Sequence, residues 1–232
     1  INIVAQLHTK ESSQIKSSKT FFIEPQKATL MFKSHKAEEV DSGDPQNLIN
    51  FCTWAVETFP AERYALIIWD HGTGPIDPFI KKRILTSSLF SLYQKPSGAS
   101  FVSSSLSSWL SLRKNKMLHK GFCIDETTGN YLNESKLIHA LKIIVQHTGK
   151  KIDLLGFDAC LMASIEMASA TKQYADILIA SQEVELGAGW NYALVLAPFL
   201  FSSLEPSAWA QHMVSAYQQT YNNIINEYTL SA

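Results

Sequence analysis

The stretch that decides the fold is KIDLLGFDACLMA, residues 151–163. It opens with a short and nearly continuous apolar run, Ile152 to Phe157, of the kind that a strand covered on both faces requires. From Leu161 onwards, apolar residues recur at helical spacing instead. We therefore predict a buried parallel strand that passes into a helix at Cys160. That position favours a thiolate through the helix dipole, and it lies where open α/β sheets bind their ligands.

A second stretch, YALIIWDHGTG at residues 64–74, has the same shape. The run Tyr64–Trp69 predicts another buried strand, and it ends in a glycine-rich turn that contains His71. If the two strands are neighbours in one parallel sheet, His71 and Cys160 meet at the same edge of that sheet. A thiol and an imidazole are the minimum set for covalent acyl transfer.

These motifs resemble those of the clostripain family of cysteine peptidases, which share the caspase-like fold with caspases, gingipains and legumains. WDHGTG, residues 69–74, resembles the histidine motif, and LLGFDACLMASIEMA, residues 154–168, resembles the cysteine motif. Two further blocks support the resemblance: SQEVELGAGWNY at 181–192 and GFCIDETTGNYL at 121–132. The resemblance implies an α/β fold, a caspase-like, mainly parallel sheet with helices on both faces.

The resemblance also implies roles for individual residues. Cys160 would be the nucleophile of a Cys–His dyad, and His71 its general acid and base. The backbone amides of Gly72 and Cys160 would hold the developing oxyanion. Asp158 would line the pocket for the substrate residue before the scissile bond and pair with arginine or lysine there. No metal is required for this chemistry, and the resemblance leaves a role for calcium open.

Each of these residues also has a structural alternative. Cys160 taken alone is equally an inert buried thiol, and Asp158 is equally a cap for the helix that follows it. Glu183 and Glu185 either line the same cleft as substrate-binding residues or cap the next turn. The charge of Asp158 would raise the pKa of the Cys160 thiol if the two were close.

The composition of the 232 residues fits a single peptidase domain, because 46% of them are hydrophobic and 18% charged. A formal net charge of −1 argues against a nucleic-acid partner, and no apolar run is long enough to span a membrane. Cys52, Cys123 and Cys160 match neither a disulfide scaffold nor a zinc pattern. The two ends read as the interior of a strand and of a helix, so we expect a fragment or a trimmed chain. We also expect a monomer.

Residues 76–120 form a basic, serine-rich insertion with no acidic residue between Asp77 and Asp125. Such a long connection is typical of an exposed functional loop. Because members of the family mature by cutting themselves after a basic residue between the two motifs, the resemblance implies autoprocessing at Lys120, with Lys82, Arg83 and Arg113–Lys116 as alternatives. The chain shows no signal-peptide pattern, and secretion is implied by the resemblance alone.

The remaining elements are predicted from local patterns. Short strands are predicted at Ile1–Leu7, Ala28–Phe32, Phe122–Ile124 and Ile177–Ser181. Helices are predicted to begin at Pro45, with Asp44 as its candidate cap, and after Asn133, also a candidate cap, and a further helix is predicted over Ser207–Tyr228.

Two functions from different classes remain open on the sequence alone. The first is an endopeptidase that cleaves after arginine or lysine through a Cys160 thioester. The second is a catalytically inactive caspase-like binding or effector module that uses the insertion for partner recognition. A nucleotide-binding protein is disfavoured, because neither HGTG nor GAG has the spacing of a phosphate-binding loop.

Overall fold

A computed structural model of the protein describes residues 1–11, 16–36, 39–73, 121–125, 128–186 and 188–229. The predicted insertion at 76–120, including Lys120, lies outside these ranges, and so do Gly74 and Pro75. Within the same ranges, no helix combines the length and apolarity that crossing a bilayer demands.

The first three strands form an antiparallel sheet in the order β1 (Ile3–Lys10), β2 (Lys16–Glu24) and β3 (Lys27–Ser34). The sequence predicts β1 and β3 but not β2. The reason is that β2 buries Ser17, Ser18 and Thr20 rather than an apolar set, so its pattern looks polar. This separate antiparallel sheet is therefore an addition to the predicted architecture.

The parallel sheet contains β4 (Ala65–Trp69), β5 (Ile152–Asp158) and β6 (Ala175–Ile179), with β5 in the middle. All three strands were predicted, with shifts of up to two residues at their ends. In its register Ile67 lies opposite Gly156, and Trp69 lies opposite Asp158. The histidine and cysteine motifs thus follow adjacent parallel strands.

Two of the predicted helix caps are confirmed. The Asp44 side chain accepts the Gln46 amide at the start of the first helix, and the Asn133 side chain accepts the Lys136 amide at the start of the second. In the described ranges the α-helices are α1 (Pro45–Thr58), α2 (Glu134–Thr148), α3 (Ile165–Thr171), α4 (Tyr192–Leu196) and α5 (Pro206–Thr229). A 3₁₀ turn at Ala197–Leu200 follows α4.

Helices cover both faces of the parallel sheet. On one face, Leu155 and Phe157 of β5 pack with buried residues of α1, α2 and α3. On the other, Leu154 packs with Trp190, α4 and α5. Because β5 is buried on both faces, its sequence is a continuous apolar run rather than an alternating one.

Candidate active site

The turn that contains His71 lies directly against the backbone of Cys160. Beyond the strand pairing, the Asp70 amide donates to the Asp158 carbonyl at 3.3 Å. A Cβ atom placed on Gly72 would be 2.3 Å from the carbonyl oxygen of Cys160, closer than any real side chain. The structure therefore brings the two motifs together at one sheet edge, and it does so through a glycine. His71 itself is exposed.

A second segment fastens the His71 turn. The Thr73 amide donates to the Gly121 carbonyl at 3.1 Å, and the Gly121 amide donates to Thr73 Oγ1 at 2.9 Å. Gly72 also pairs with Phe122, which pairs in turn with Leu132. The predicted strand at 122–124 is thus reduced to isolated pairs at Phe122. The block at 121–132 that carried part of the resemblance is what holds the histidine turn in place.

Cys160 lies in a turn and not at the start of a helix, which corrects the prediction. Leu161 adopts a left-handed conformation with φ of 63°, and α3 begins only at Ile165, capped by Ser164. The amides of Leu161 and Ala163 instead donate to the carbonyls of Glu183 and Ser181, at 3.1 and 2.9 Å. The turn is therefore held by the loop after β6, and Cys160 lacks the position at the start of α3 on which the predicted dipole effect depended.

The electrostatics of Cys160 also differ from expectation. Burial raises the pKa of its thiol, and the nearby Glu185 carboxylate raises it further, while hydrogen bonds from the backbone amides of Glu185, Cys160 and Gly72 lower it. The Glu185 amide donates to Sγ at 3.2 Å. The acid that opposes ionisation is therefore Glu185, whereas the sequence had indicated Asp158. At neutral pH Cys160 is therefore mainly a thiol, and a base must take its proton before the sulfur can act as a nucleophile.

Asp158 is buried, with 2% of its surface exposed, and it caps no helix. Its Oδ2 accepts the Trp190 amide and the Tyr192 hydroxyl, both at 2.9 Å. Its Oδ1 and the Oε2 of Glu185 are buried, and neither has a hydrogen-bond partner among the described residues. Two buried acceptor oxygens of this kind cost free energy unless a donor fills the space beside them.

Glu185 contacts the Cys160 sulfur and also lies beside the buried Asp158. Its backbone amide contacts Cys160, while its side chain accepts the Trp190 indole N–H at 3.4 Å. Burial, and then the adjacent Asp158 carboxylate, raise the pKa of Glu185 to about 8. Glu185 is therefore largely protonated near neutral pH, and its carboxyl group can donate to the Asp158 carboxylate.

Gly189 lies against both Asp158 and Trp69, two contacts that sequence reasoning missed. A Cβ on Gly189 would be 2.8 and 2.9 Å from the Asp158 carboxylate oxygens and 3.0 Å from the Trp69 indole nitrogen. Its φ of +66° also disfavours any side chain. The only sequence signal was the small-residue block before Trp190, which marks a close approach but not its partners.

Replacement of Gly189 by alanine is expected to give a melting temperature about 3 °C or more below that of the same change at Gly149. The left-handed backbone costs about 1 kcal/mol with a Cβ, and the methyl group must also displace the acid or the indole. Gly149→Ala is the matched control, because Gly149 has a φ of +71° but nothing within 4 Å of its Cβ position. Thermal melts of both variants test this; equal melting temperatures in the two would contradict it.

The other predicted residues lie less centrally. Glu183 is exposed, and its backbone carbonyl rather than its carboxylate supports the Cys160 turn, so its role in substrate binding stays a prediction. Cys52, Cys123 and Cys160 are all free thiols. Burial raises the pKa of Cys52 to about 12, and burial together with Asp70 raises the pKa of Cys123. Neither thiol is suited to act as a nucleophile at neutral pH.

The described ranges offer no group of three acidic, histidine or cysteine side chains that could hold a metal ion. No residue is therefore assigned to calcium binding. Whether the protein responds to calcium stays a prediction for experiment.

Comparison with known families shows which family the chain belongs to. The sequence model of the Clostripain family matches residues 14–84 and 101–232, most of the chain. The chain belongs to the clostripain family of cysteine peptidases. Clostripain from Hathewaya histolytica is 26% identical over 160 residues, which make up 66% of this chain and 24% of that protein.

Solved structures of C11 cysteine proteases share the fold. A secreted C11 cysteine protease from Bacteroides thetaiotaomicron, in complex with an irreversible peptide inhibitor, superposes with a TM-score of 0.58 at 21% identity, over 94% of this chain and 48% of that one. An inactive zymogen C11 protease from Parabacteroides distasonis gives 0.55 at 19% identity, over 93% and 47%. The predicted α/β fold is thereby confirmed. The chain spans about half the length of these structures and about a quarter of clostripain.

Proposed function

We propose that this clostripain-family chain is an endopeptidase that cleaves after arginine or lysine through a Cys160–His71 dyad. The observation that supports this most is the double contact of Glu185. Its amide donates to the Cys160 sulfur, while its carboxyl group lies beside the buried Asp158. We take the two acids to line the substrate pocket beside the candidate nucleophile, which suits a cationic side chain on the substrate residue directly before the bond that is cut.

In the proposed mechanism, His71 takes the proton of Cys160, and the thiolate attacks the substrate carbonyl carbon. The amides of Gly72 and Cys160 hold the oxyanion. His71 then gives its proton to the leaving amine as the carbon–nitrogen bond breaks, which leaves a thioester that water hydrolyses. Two findings support this scheme: burial raises the pKa of the thiol, so a base is needed, and the backbone amides of Gly72 and Cys160 are close enough to the sulfur to lower that pKa.

The pocket is proposed to take a basic side chain because its acids lack a counterion. Asp158 Oδ1 and Glu185 Oε2 are buried and accept no hydrogen bond from any donor group of the described residues, so the contact between the two acids relies on the Glu185 proton. A guanidinium or an ammonium group would supply both donors and charge. Glu183, on the exposed part of the same loop, is proposed to attract the cation towards the pocket entrance.

Ligand binding in this pocket is expected to depend on pH. Because the pKa of Glu185 is raised to about 8, the acid is largely protonated at lower pH and gains its charge as the pH rises through that value. Binding of the cation benzamidine to a Cys160→Ala variant should therefore tighten severalfold between about pH 6 and about pH 9. Calorimetric titration measures this. A Glu185→Gln variant should show weaker binding without the pH dependence, and a flat profile in the parent would contradict the proposal.

The raised pKa of Glu185 also makes the stability of the fold depend on pH. Stability falls as the pH rises, whereas binding of the cation strengthens. The folded-state pKa of Glu185 lies above its ordinary value of 4.5, so the group contributes stability that is fully present below pH 4.5 and is lost as the pH rises through about 8.

We further propose that the protein processes itself at Lys120 and acts outside the cell. Support for processing comes from Gly121, which follows that bond and is already fastened to Thr73 in the histidine turn. Support for export is that the Bacteroides relative is described as secreted. Terminal sequencing of mature protein tests the first point: a new terminus at Gly121, absent from Cys160→Ala, is expected, whereas a single intact 25.9 kDa chain with full activity would contradict it.

Fluorogenic peptides that differ only in the residue before the scissile bond test the function itself. Cleavage confined to arginine and lysine peptides is expected. If a folded, processed sample cleaves no peptide, the proposal fails and the inactive binding or effector module becomes the better account.

A further inference from the structure

Trp69 ends β4 with 58% of its surface exposed, although Ile68 beside it is buried at 6%. A single exposed aromatic residue is ordinary on a protein surface. The position of this one is not, because the parallel register sets Trp69 directly opposite Asp158. Paired residues on neighbouring strands direct their side chains to the same face of the sheet. The indole therefore stands beside the buried acid.

Gly189 shows how close the two groups are. The single point where its Cβ would lie is within 3.0 Å of the Trp69 indole nitrogen and of both Asp158 carboxylate oxygens. On the same face of the sheet but further from solvent, the Trp190 ring lies over Gly156 and near Ile67. Trp69, like Tyr192, is thus a solvent-exposed aromatic residue near Asp158, and its indole nitrogen lies towards the acid while much of its surface meets solvent.

We propose that Trp69 forms one wall of the pocket and makes it favour arginine over lysine, an inference that rests on the proposed peptidase function. A side chain that reaches the oxygens of Asp158 and Glu185 from solvent passes along the indole face. A planar guanidinium stacks on that face and donates to both acids at once, whereas an ammonium group gains the charge contacts without the stacking.

The test compares kcat/KM for two peptides that differ only in arginine or lysine before the scissile bond. Trp69→Leu should lower the arginine-to-lysine ratio about threefold to tenfold, mostly through KM for the arginine peptide. Trp69→Phe, which keeps an aromatic face, should restore part of the ratio. Trp54→Leu is the control, because Trp54 of α1 stacks edge-on with Phe32 in the other sheet and should leave the ratio unchanged.

Two outcomes separate the inference from the function beneath it. If wild type cleaves basic peptides but the ratio is the same in all variants, the wall is disproved while the peptidase function stands. If wild type cleaves neither peptide, the proposed function fails, but benzamidine binding still tests whether Trp69 contacts the bound cation. In that case binding to Cys160→Ala should weaken at least threefold when Trp69→Leu is added, and unchanged binding would overturn the inference.

Discussion

Replacement of Cys160 by alanine is expected to lower kcat/KM for peptide cleavage by at least about 10⁴-fold. The variant keeps His71, the pocket and the backbone amides, but it has no atom that can form the thioester. The loss should appear in kcat, because the substrate contacts remain. Stopped fluorogenic assays with concentrated enzyme can measure a residual rate of this size, and circular dichroism confirms that the variant is folded.

Cys52→Ala is the matched control for this experiment. Cys52 is a buried thiol of α1, and burial raises its pKa to about 12, so it should contribute packing and no chemistry. Its replacement is expected to lower stability by about 1–2 kcal/mol and to leave kcat/KM nearly unchanged. Substantial cleavage by Cys160→Ala would show that another group is the nucleophile.

Replacement of Asp158 by asparagine should cost about 30-fold to 1,000-fold in kcat/KM on arginine and lysine peptides. Asparagine has almost the same shape, and its amide oxygen can still accept the Trp190 amide and the Tyr192 hydroxyl. The local fold should therefore survive while the pocket loses one acid. The remaining Glu185 should also ionise more readily, because the Asp158 charge no longer raises its pKa.

Asp176→Asn provides the comparison for the loss of one negative charge elsewhere. Asp176 lies on β6, pairs with Lys151 at 3.3 Å and has an exposed side chain. Its replacement should change kcat/KM by less than about twofold, since exposed ion pairs contribute little. If the two variants lose activity equally, Asp158 does not act as a specificity residue, and general electrostatic attraction would explain the preference for basic substrates.

Patterns within single elements made much of the fold predictable. The run at 152–157 read as a buried strand because two-sided burial leaves few polar positions, and β5 is buried as predicted. The run at 64–69 was correctly predicted as a strand, but only Ile68 of β4 is buried. Asp44 and Asn133 were readable as caps because their side chains satisfy free amides of the next turn. β2 was missed because its buried positions, Ser17, Ser18 and Thr20, are polar, so its sequence lacks the apolar pattern from which a strand is predicted.

In the candidate site, too, some features could be predicted from the sequence and others could not. The convergence of His71 and Cys160 follows from parallel strands that share an edge, so the sequence could predict it. The turn at Cys160, the thiol environment set by Glu185 and the contact between Gly189 and Trp69 could not be predicted. They all depend on the loop after β6 folding back over the sheet, which is a tertiary event with no local periodicity.

The most direct test of the account is to locate the covalent adduct formed by a peptidyl arginyl chloromethyl ketone. We predict a single alkylated peptide that contains Cys160, formed at least tenfold more slowly in Asp158→Asn and not at all with a norleucyl reagent of the same length at equal concentration. Intact-mass and peptide-mapping spectrometry measure both the site and the rate. Alkylation of Cys52 or Cys123 instead, or equal rates with the two reagents, would contradict the assignment of Cys160 as a nucleophile beside a pocket for basic side chains.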